Sequence, residues 1–333
     1  MKNQNLYPAP CFYKKTTLLA IFLIAFLFVF KTNTFAQSSL TIGTSPSSEK
    51  LQLQPGETYE GEIVVWNLSD KTTTYQIYTR GFRQVENQPG TAVMLTEAEE
   101  RKALYSAASW ITVSKTEIEL IPNKNEKIFY KITVPEDITK GEYTAIIAFI
   151  SDTQAKSLGT TAFTNLSSGT PFLIKIGDEF VENAELLKFA SDKNFYEFPT
   201  VTFETRIKNL GDTHISPVGE ILLTNIFNQE IGKLVFNANG QSILRDNTGN
   251  YESVWDFGSF LTNDNKLILG PIDAKLVVTY RNFQPGFAPL VAETSFWIIP
   301  WKYIIIALLI IITIMILLKM RKNRKEQPQP LPK

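Results

Sequence analysis

Apolar and polar side chains alternate every second residue over long stretches of the chain. Ile128, Tyr130, Ile132 and Val134 alternate with Lys127, Phe129, Lys131 and Thr133, which is the period of a strand with one buried face. Val201, Phe203, Thr205 and Ile207 alternate with Thr202, Glu204, Arg206 and Lys208, an outward set that is wholly polar. One-sided alternation in both halves predicts antiparallel sheet. Turn signals at Pro55-Gly56, Ser69-Asp70, Pro89-Gly90, Pro122-Asn123, Lys140-Gly141, Gly211-Asp212 and Gly249-Asn250 divide the runs into short strands at sandwich-like intervals. One stretch, 96–108, reads as helix. Its early Glu97, Glu99 and Glu100 suit the positive end of the helix dipole, and their carboxylates are expected to be solvated.

Two segments are apolar without alternation. Lys2, Lys14 and Lys15 precede an apolar run over 16–30, followed by Thr34, Phe35 and Ala36. This predicts a signal peptide cleaved between Ala36 and Gln37. The second run, 297–318, is ~33 Å long as a helix, enough to cross a bilayer core of ~30 Å. Trp297, Trp301 and Tyr303 supply an aromatic belt at one end, and Lys319, Arg321, Lys322, Arg324 and Lys325 crowd the other. The basic end is expected in the cytoplasm and the N-terminal region outside, in the cell membrane, with a single pass. Lys302 is expected to reach to the headgroups.

A short internal repeat places the boundary between the halves. Asn67-Leu-Ser-Asp70 follows one strand and Asn209-Leu-Gly-Asp212 another, suggesting two copies of one unit. The acidic stretch 177–185 falls between them. Around Gly141 and Tyr143 the sequence reads as a tyrosine corner, in which the hydroxyl bonds back to the preceding loop, and Trp110 and Trp66 are expected in the same core. The expected fold is all-β, with two tandem immunoglobulin-like β-sandwich domains and one C-terminal transmembrane helix. The predicted segments are a signal peptide (1–36), a first sandwich (37–178), a second (179–296), the span (297–318) and a basic cytoplasmic tail (319–333).

Charge and chemistry narrow the function. Between Gln37 and Trp301 there are 22 Lys plus Arg and 32 Asp plus Glu, an acidic balance that argues against nucleic acid, which basic surfaces attract. The only cysteine, Cys11, lies in the predicted signal peptide, and the only histidine, His214, has no second imidazole or thiol to share a metal. No cofactor, metal site or catalytic set is therefore expected. Glu60 and Glu62, two apart on a strand, share its outer face and read as surface charge. Asn67 and Asn165 each begin an Asn-Leu-Ser sequon.

The segment 110–150 resembles the N-terminal domain of the WxL-interacting cell-surface proteins of bacteria through its strand, Pro122-Asn123 turn, strand and Lys140-Gly-Glu-Tyr143 corner. The second half is similar to that family through the asparagine-ended strand, Gly211-Asp-Thr-His214, Pro217, Gly219 and the Ile-Leu-Leu-Thr-Asn-Ile-Phe that follows. So is the exit from Phe296 to Lys302 into the span. The resemblance implies a first domain associated with peptidoglycan and a second contacting another surface protein or ligand. The expected function is a non-catalytic, membrane-anchored binding or scaffold protein, touching the bilayer through one helix. Its best binding loop is the connection 152–170, which carries Leu158, Phe163 and Leu166. The alternatives are a membrane-tethered chaperone that adds a strand to exported subunits and a wall hydrolase using acidic residues.

Overall fold

The computed structural model describes residues 41–151, 169–280 and 289–325. Ala36 and Gln37, Leu158, Phe163, Leu166 and Asn165, and the tail beyond 325 lie outside the described residues. The strands fall into an N-terminal group, up to residue 178, and a C-terminal group, up to residue 298.

In the N-terminal half, β1 (Ile42–Ser45), β3 (Thr58–Asn67), β9 (Asn125–Thr133) and β7 (Ile111–Val113) form one sheet in that order. The facing sheet runs β2 (Glu49–Leu53), β11 (Gly169–Ile176), β10 (Gly141–Ser151), β4 (Thr73–Arg80) and β8 (Glu117–Leu120). The first two strands belong to different sheets, β1 antiparallel to β3 and β2 parallel to β11. β5 (Phe82–Gln84) and β6 (Ala92–Met94) make a small separate hairpin. The two sheets close on one core that includes Ile63, Val65, Ile128, Tyr130, Ile132, Ile147, Phe149 and Phe172. In β3, β9 and β11 these are the inward sets of alternating strands, so burial follows the period of two, whereas β10 is buried on both faces.

In the C-terminal half, β12 (Ala184–Ser191), β14 (Thr200–Asn209) and β17 (Thr248–Asp256) form one sheet. The other runs β13 (Phe195–Tyr196), β19 (Leu290–Ile298), β18 (Gly270–Thr279), β15 (Val218–Asn225) and β16 (Glu230–Phe236). Val201, Phe203, Ile207, Ile221, Leu276 and Phe296 are among its buried residues. The repeated asparagines occupy matching places at the ends of β3 and β14, both fully buried. Asn67 Nδ2 donates to the carbonyls of Lys71 and Leu120, each at 2.8 Å, and its Oδ1 accepts from Ser69 N–H at 3.0 Å. Asn209 Nδ2 donates to the carbonyls of Thr213 at 2.8 Å and Ile243 at 3.1 Å, and Oδ1 accepts from Gly211 N–H at 2.9 Å. Asn67 thus stitches its turn to β8 of the facing sheet, and Asn209 stitches its turn to the segment between β16 and β17. The burial of Asn67 leaves that sequon no exposed amide to modify.

Four expectations need correction. The stretch 96–108 is not one helix. It is a single turn, α1 (Glu97–Glu100), then an extended segment and a 3-10 turn at Ala108–Trp110. Ala107 N–H bonds to Thr144 O and Thr144 N–H to Tyr105 O, both at 2.9 Å, so pairing with β10 takes the backbone groups that a longer helix would use. The carboxylates of α1 are engaged, not merely solvated: Glu97 pairs with Arg80 at 3.0 Å, Glu99 with Arg83 at 3.2 Å, and Glu100 accepts from Gly81 N–H at 2.8 Å. Trp66 does not join the core, because it alternates with Val65 and Asn67 and so faces outward, half-buried.

The fourth correction concerns the apolar C-terminus. Trp297 belongs to the last strand, where Phe296 and Ile298 are buried on either side. The helix α2 (Trp301–Lys325) starts only after Pro300, whose fixed φ suits the entry to a helix. The section Trp301–Lys319 is long and apolar enough to cross a membrane. Among the described residues it is the one such helix, and its apolar side chains from Ile304 to Leu318 are exposed.

Candidate functional site

The residues that carry most of the unusual chemistry meet where the two halves touch. The β5–β6 hairpin reaches across. Gln84 Nε2 donates to Thr248 O at 2.8 Å, while its Oε1 accepts from Leu244 N–H at 3.0 Å. At the tip, Gly90 N–H bonds to Ser242 O at 2.8 Å, and Asn87 O accepts from Asn250 N–H at 3.0 Å. Backbone amides of one half are therefore satisfied by the other, a geometry that fixes register as well as contact.

A second set of contacts starts at the head of β10. Gly141 sits at φ +130°, and a side chain there would meet Arg245 and the Asp212 carbonyl; the close approach of the halves requires glycine. The next residue, Glu142, is buried and donates its N–H to Asp212 O at 2.8 Å. Its carboxylate accepts from His214 N–H at 3.2 Å and lies 2.5 Å from His214 Nδ1. The lone histidine of the chain is thus a latch between the halves, with side-chain exposures of 13% for His214 and 2% for Glu142. Nothing in the sequence marks Glu142 as its partner, since the two lie 72 positions apart.

Tyr143, adjacent to Glu142, sends its hydroxyl to Thr139 O at 3.0 Å and packs its ring against Trp110 at 4.8 Å. Tyr105 lies edge-on to Tyr143 and under the Arg245 guanidinium, which sits 3.9 Å from the Tyr105 ring centre. Burial pushes the Tyr105 hydroxyl above its ordinary value, with Arg245 pulling the other way. Arg245 Nη1 is buried and among the described residues has no hydrogen-bond partner, a cost that a cation-π contact offsets only in part.

Two cavities flank these contacts, each lined by both halves. One, of about 340 Å³, is bounded by Phe82, Leu95, Leu104, Tyr105, Leu244 and Arg245; Leu104 at its rim is 79% exposed. The other, of about 460 Å³, lies between Glu49 and Lys50 of β2, Leu173 of β11, and Gln241 and Leu244. Phe82 and Leu244 line both. β2 ends its sheet, so among the described residues one row of its backbone groups has no strand partner. A further groove of about 560 Å³ crosses the outer face of β3, β9 and β7. There Glu62 pairs with Lys127 at 2.8 Å and Glu60 with Lys131 at 3.4 Å, the paired surface charge expected of that strand face. Among the described residues, no group of three or more His, Cys, Asp or Glu is placed to hold a metal ion.

At the C-terminal end, Trp301 and Tyr303 open α2, and Lys319 and Arg321 near its other end are exposed. Lys322 and Arg324 fall in its last turns. Lys302, expected to reach to the headgroups, pairs with Glu197 at 2.9 Å.

No family model and no curated protein matches the sequence. Among solved structures, the class 5 fimbriae chaperone CfaA is similar over 76% of this chain and 98% of its own, with 16% identity and a TM-score of 0.34. The SafB chaperone of Salmonella enterica, in complex with the SafA pilin, is similar over 78% and 99%, with 7% identity and a TM-score of 0.36. The YadV chaperone is similar over 77% and 99%, with 9% identity and a TM-score of 0.33.

Proposed function

We propose that the chain is an exported, membrane-anchored binding protein without catalytic activity, and that it engages an extended segment of another exported protein at the junction of its two immunoglobulin-like sandwiches. The observation that carries this reading is the pair of cavities lined jointly by both halves, one of them bordered by the edge strand β2. An unpaired sheet edge is a template for strand addition, and neighbouring pockets take alternate side chains of the added strand. The latch and the hairpin hold the junction at one geometry, so a partner meets a preformed site and less ordering is needed on binding. With α2 in the bilayer, that site stays near the surface where exported chains emerge.

The chaperone that adds a strand to exported subunits is one form of this reading, favoured by β2. Wall binding by the first sandwich rests on the sequence resemblance alone, and no described cavity adds to it. The test is capture by the full chain, reconstituted in lipid nanodiscs, from the source cell's exported proteins and, separately, from purified peptidoglycan. Saturable binding of a polypeptide that an excess of unstructured peptide from the same protein competes away is expected. Saturable binding to wall with no polypeptide retained would overturn the proposal.

A further inference from the structure

The C-terminal half ends in a base of exposed apolar side chains set at the level where α2 begins. The strand pairings fix this level. Asn225 at the end of β15 pairs with Ile272, Ile272 with Phe296, and Gly270 with Ile298; only Ile299 and Pro300 separate that point from α2. Ile226 and Phe227, in the turn after β15, are therefore level with the end of β19, as is Phe195, which pairs with Trp297. The hairpin containing Leu261 joins the same end. Asn225 Nδ2 donates to Leu267 O at 3.1 Å, and Lys266 Nζ to Glu230 O at 3.1 Å.

This base is stapled to the first turn of α2. Phe198 and Phe260 stack at 5.9 Å, and each meets Tyr303 edge-on, at 6.3 and 6.4 Å. Lys302 pairs with Glu197 at 2.9 Å. Ile299 N–H bonds to Tyr196 O at 2.7 Å, and Trp301 N–H to Ile299 O at 2.8 Å. The helix therefore leaves the sheet without a free linker. At ~1.5 Å per residue Tyr303 is only one turn into the helix, and the polar interfacial layer on each side of a hydrocarbon core is ~5–8 Å thick. Side chains that touch Tyr303, and those level with them, fall within that layer.

We infer that this end of the C-terminal half, through Phe195, Phe198, Ile226, Phe227, Leu261 and Trp297, seats in the bilayer leaflet beside it, so that the protein is held by one helix and a sandwich base together. Phe227 is 63% exposed and Phe195 65%; aromatic rings of this kind partition to the headgroup boundary. Asp264, Lys266, Lys193 and Asp192 lie in the same loops, a mixed set suited to the polar side of that boundary. The opposite end of the sheet, marked by Val235 opposite Glu220, points away from the helix. The inference rests on α2 spanning the membrane.

The test uses the full chain in a Cys11→Ser background, reconstituted in lipid vesicles with and without a headgroup-proximal spin-labelled lipid. Single variants Phe227→Cys, Leu261→Cys, Val235→Cys and Tyr303→Cys carry an environment-sensitive fluorophore. Phe227, Leu261 and Val235 are exposed, so labelling does not disturb a core. Quenching at positions 227 and 261 close to that at 303, and several-fold above that at 235, is the expected result. Quenching at 303 alone would overturn the seating while leaving the anchor intact. Absence of quenching at all four positions would overturn the anchor and the seating with it.

Discussion

At the scale of single residues, the buried side-chain amide is the device the two halves share. Asn67 and Asn209 each satisfy two carbonyls and one N–H from inside the fold. Replacing one leaves those groups buried and unmet, at a cost of ~1–3 kcal/mol each where desolvation is complete. Asn209→Ala is therefore expected to lower the midpoint of thermal unfolding by several degrees, whereas Asn263→Ala, in an exposed turn, leaves it nearly unchanged; differential scanning calorimetry decides. These residues were visible in the sequence as a four-residue repeat. Their burial was not, because asparagine at a strand end reads first as a turn former. Trp66 went the other way: its size suggests a core residue, but alternation places it outward beside Val65. Position within the period overrides side-chain identity.

At the scale of elements, α1 shows how tertiary pairing shortens a helix. Thr96 accepts from Glu99 N–H at 3.2 Å, and Glu99 returns a bond to Thr96 N–H at 2.8 Å, a reciprocal cap. The Thr96 backbone bond comes first among the effects that hold the Glu99 carboxyl below its ordinary range. A lowered folded value means that this stabilisation is present above the unfolded carboxylate value and fades as pH falls through the folded one. Amide protection factors for Glu99 and Glu100 are thus expected to drop as the solution is taken below the ordinary carboxylate range. Glu99→Gln is expected to remove that dependence, and Thr96→Ala, which keeps the backbone bond but loses the hydroxyl, to weaken it and to cost ~1 kcal/mol locally; unchanged protection in both variants would contradict the cap. The start of the helix was legible in the early Glu97, Glu99 and Glu100. The end of the helix was not, because the bonds that stop it come from Thr144, 37 positions beyond Ala107 in the chain. Strands and the apolar helix could be read locally, the strands from their period of two and the helix from its unbroken apolar run. The division of β1 and β2 between two sheets could not, because pairing partners are set by distant segments.

At the scale of the whole molecule, the described part of the chain is mainly β, with a single apolar helix at its C-terminal end. Its two strand groups meet through Glu142 and His214, the Gln84 hairpin and Arg245 over Tyr105. The sequence offered His214 only as an isolated residue and pointed to Leu158, Phe163 and Leu166 for binding, which lie outside the described residues. The junction emerges only when residues about 70 to 160 positions apart are brought together. The central claim is that this junction receives an extended segment of another exported protein. It is tested most directly by a photo-crosslinking amino acid placed at Leu104, on the rim of the junction cavity, in the membrane-reconstituted full chain exposed to the source cell's exported proteins. The account predicts adducts that map to an extended segment of a partner, are strongly reduced by Leu244→Asp, and are missing when the crosslinker is moved to Val235. Adducts of equal yield at Leu104 and Val235, or none at Leu104 while a partner is still captured, would contradict it.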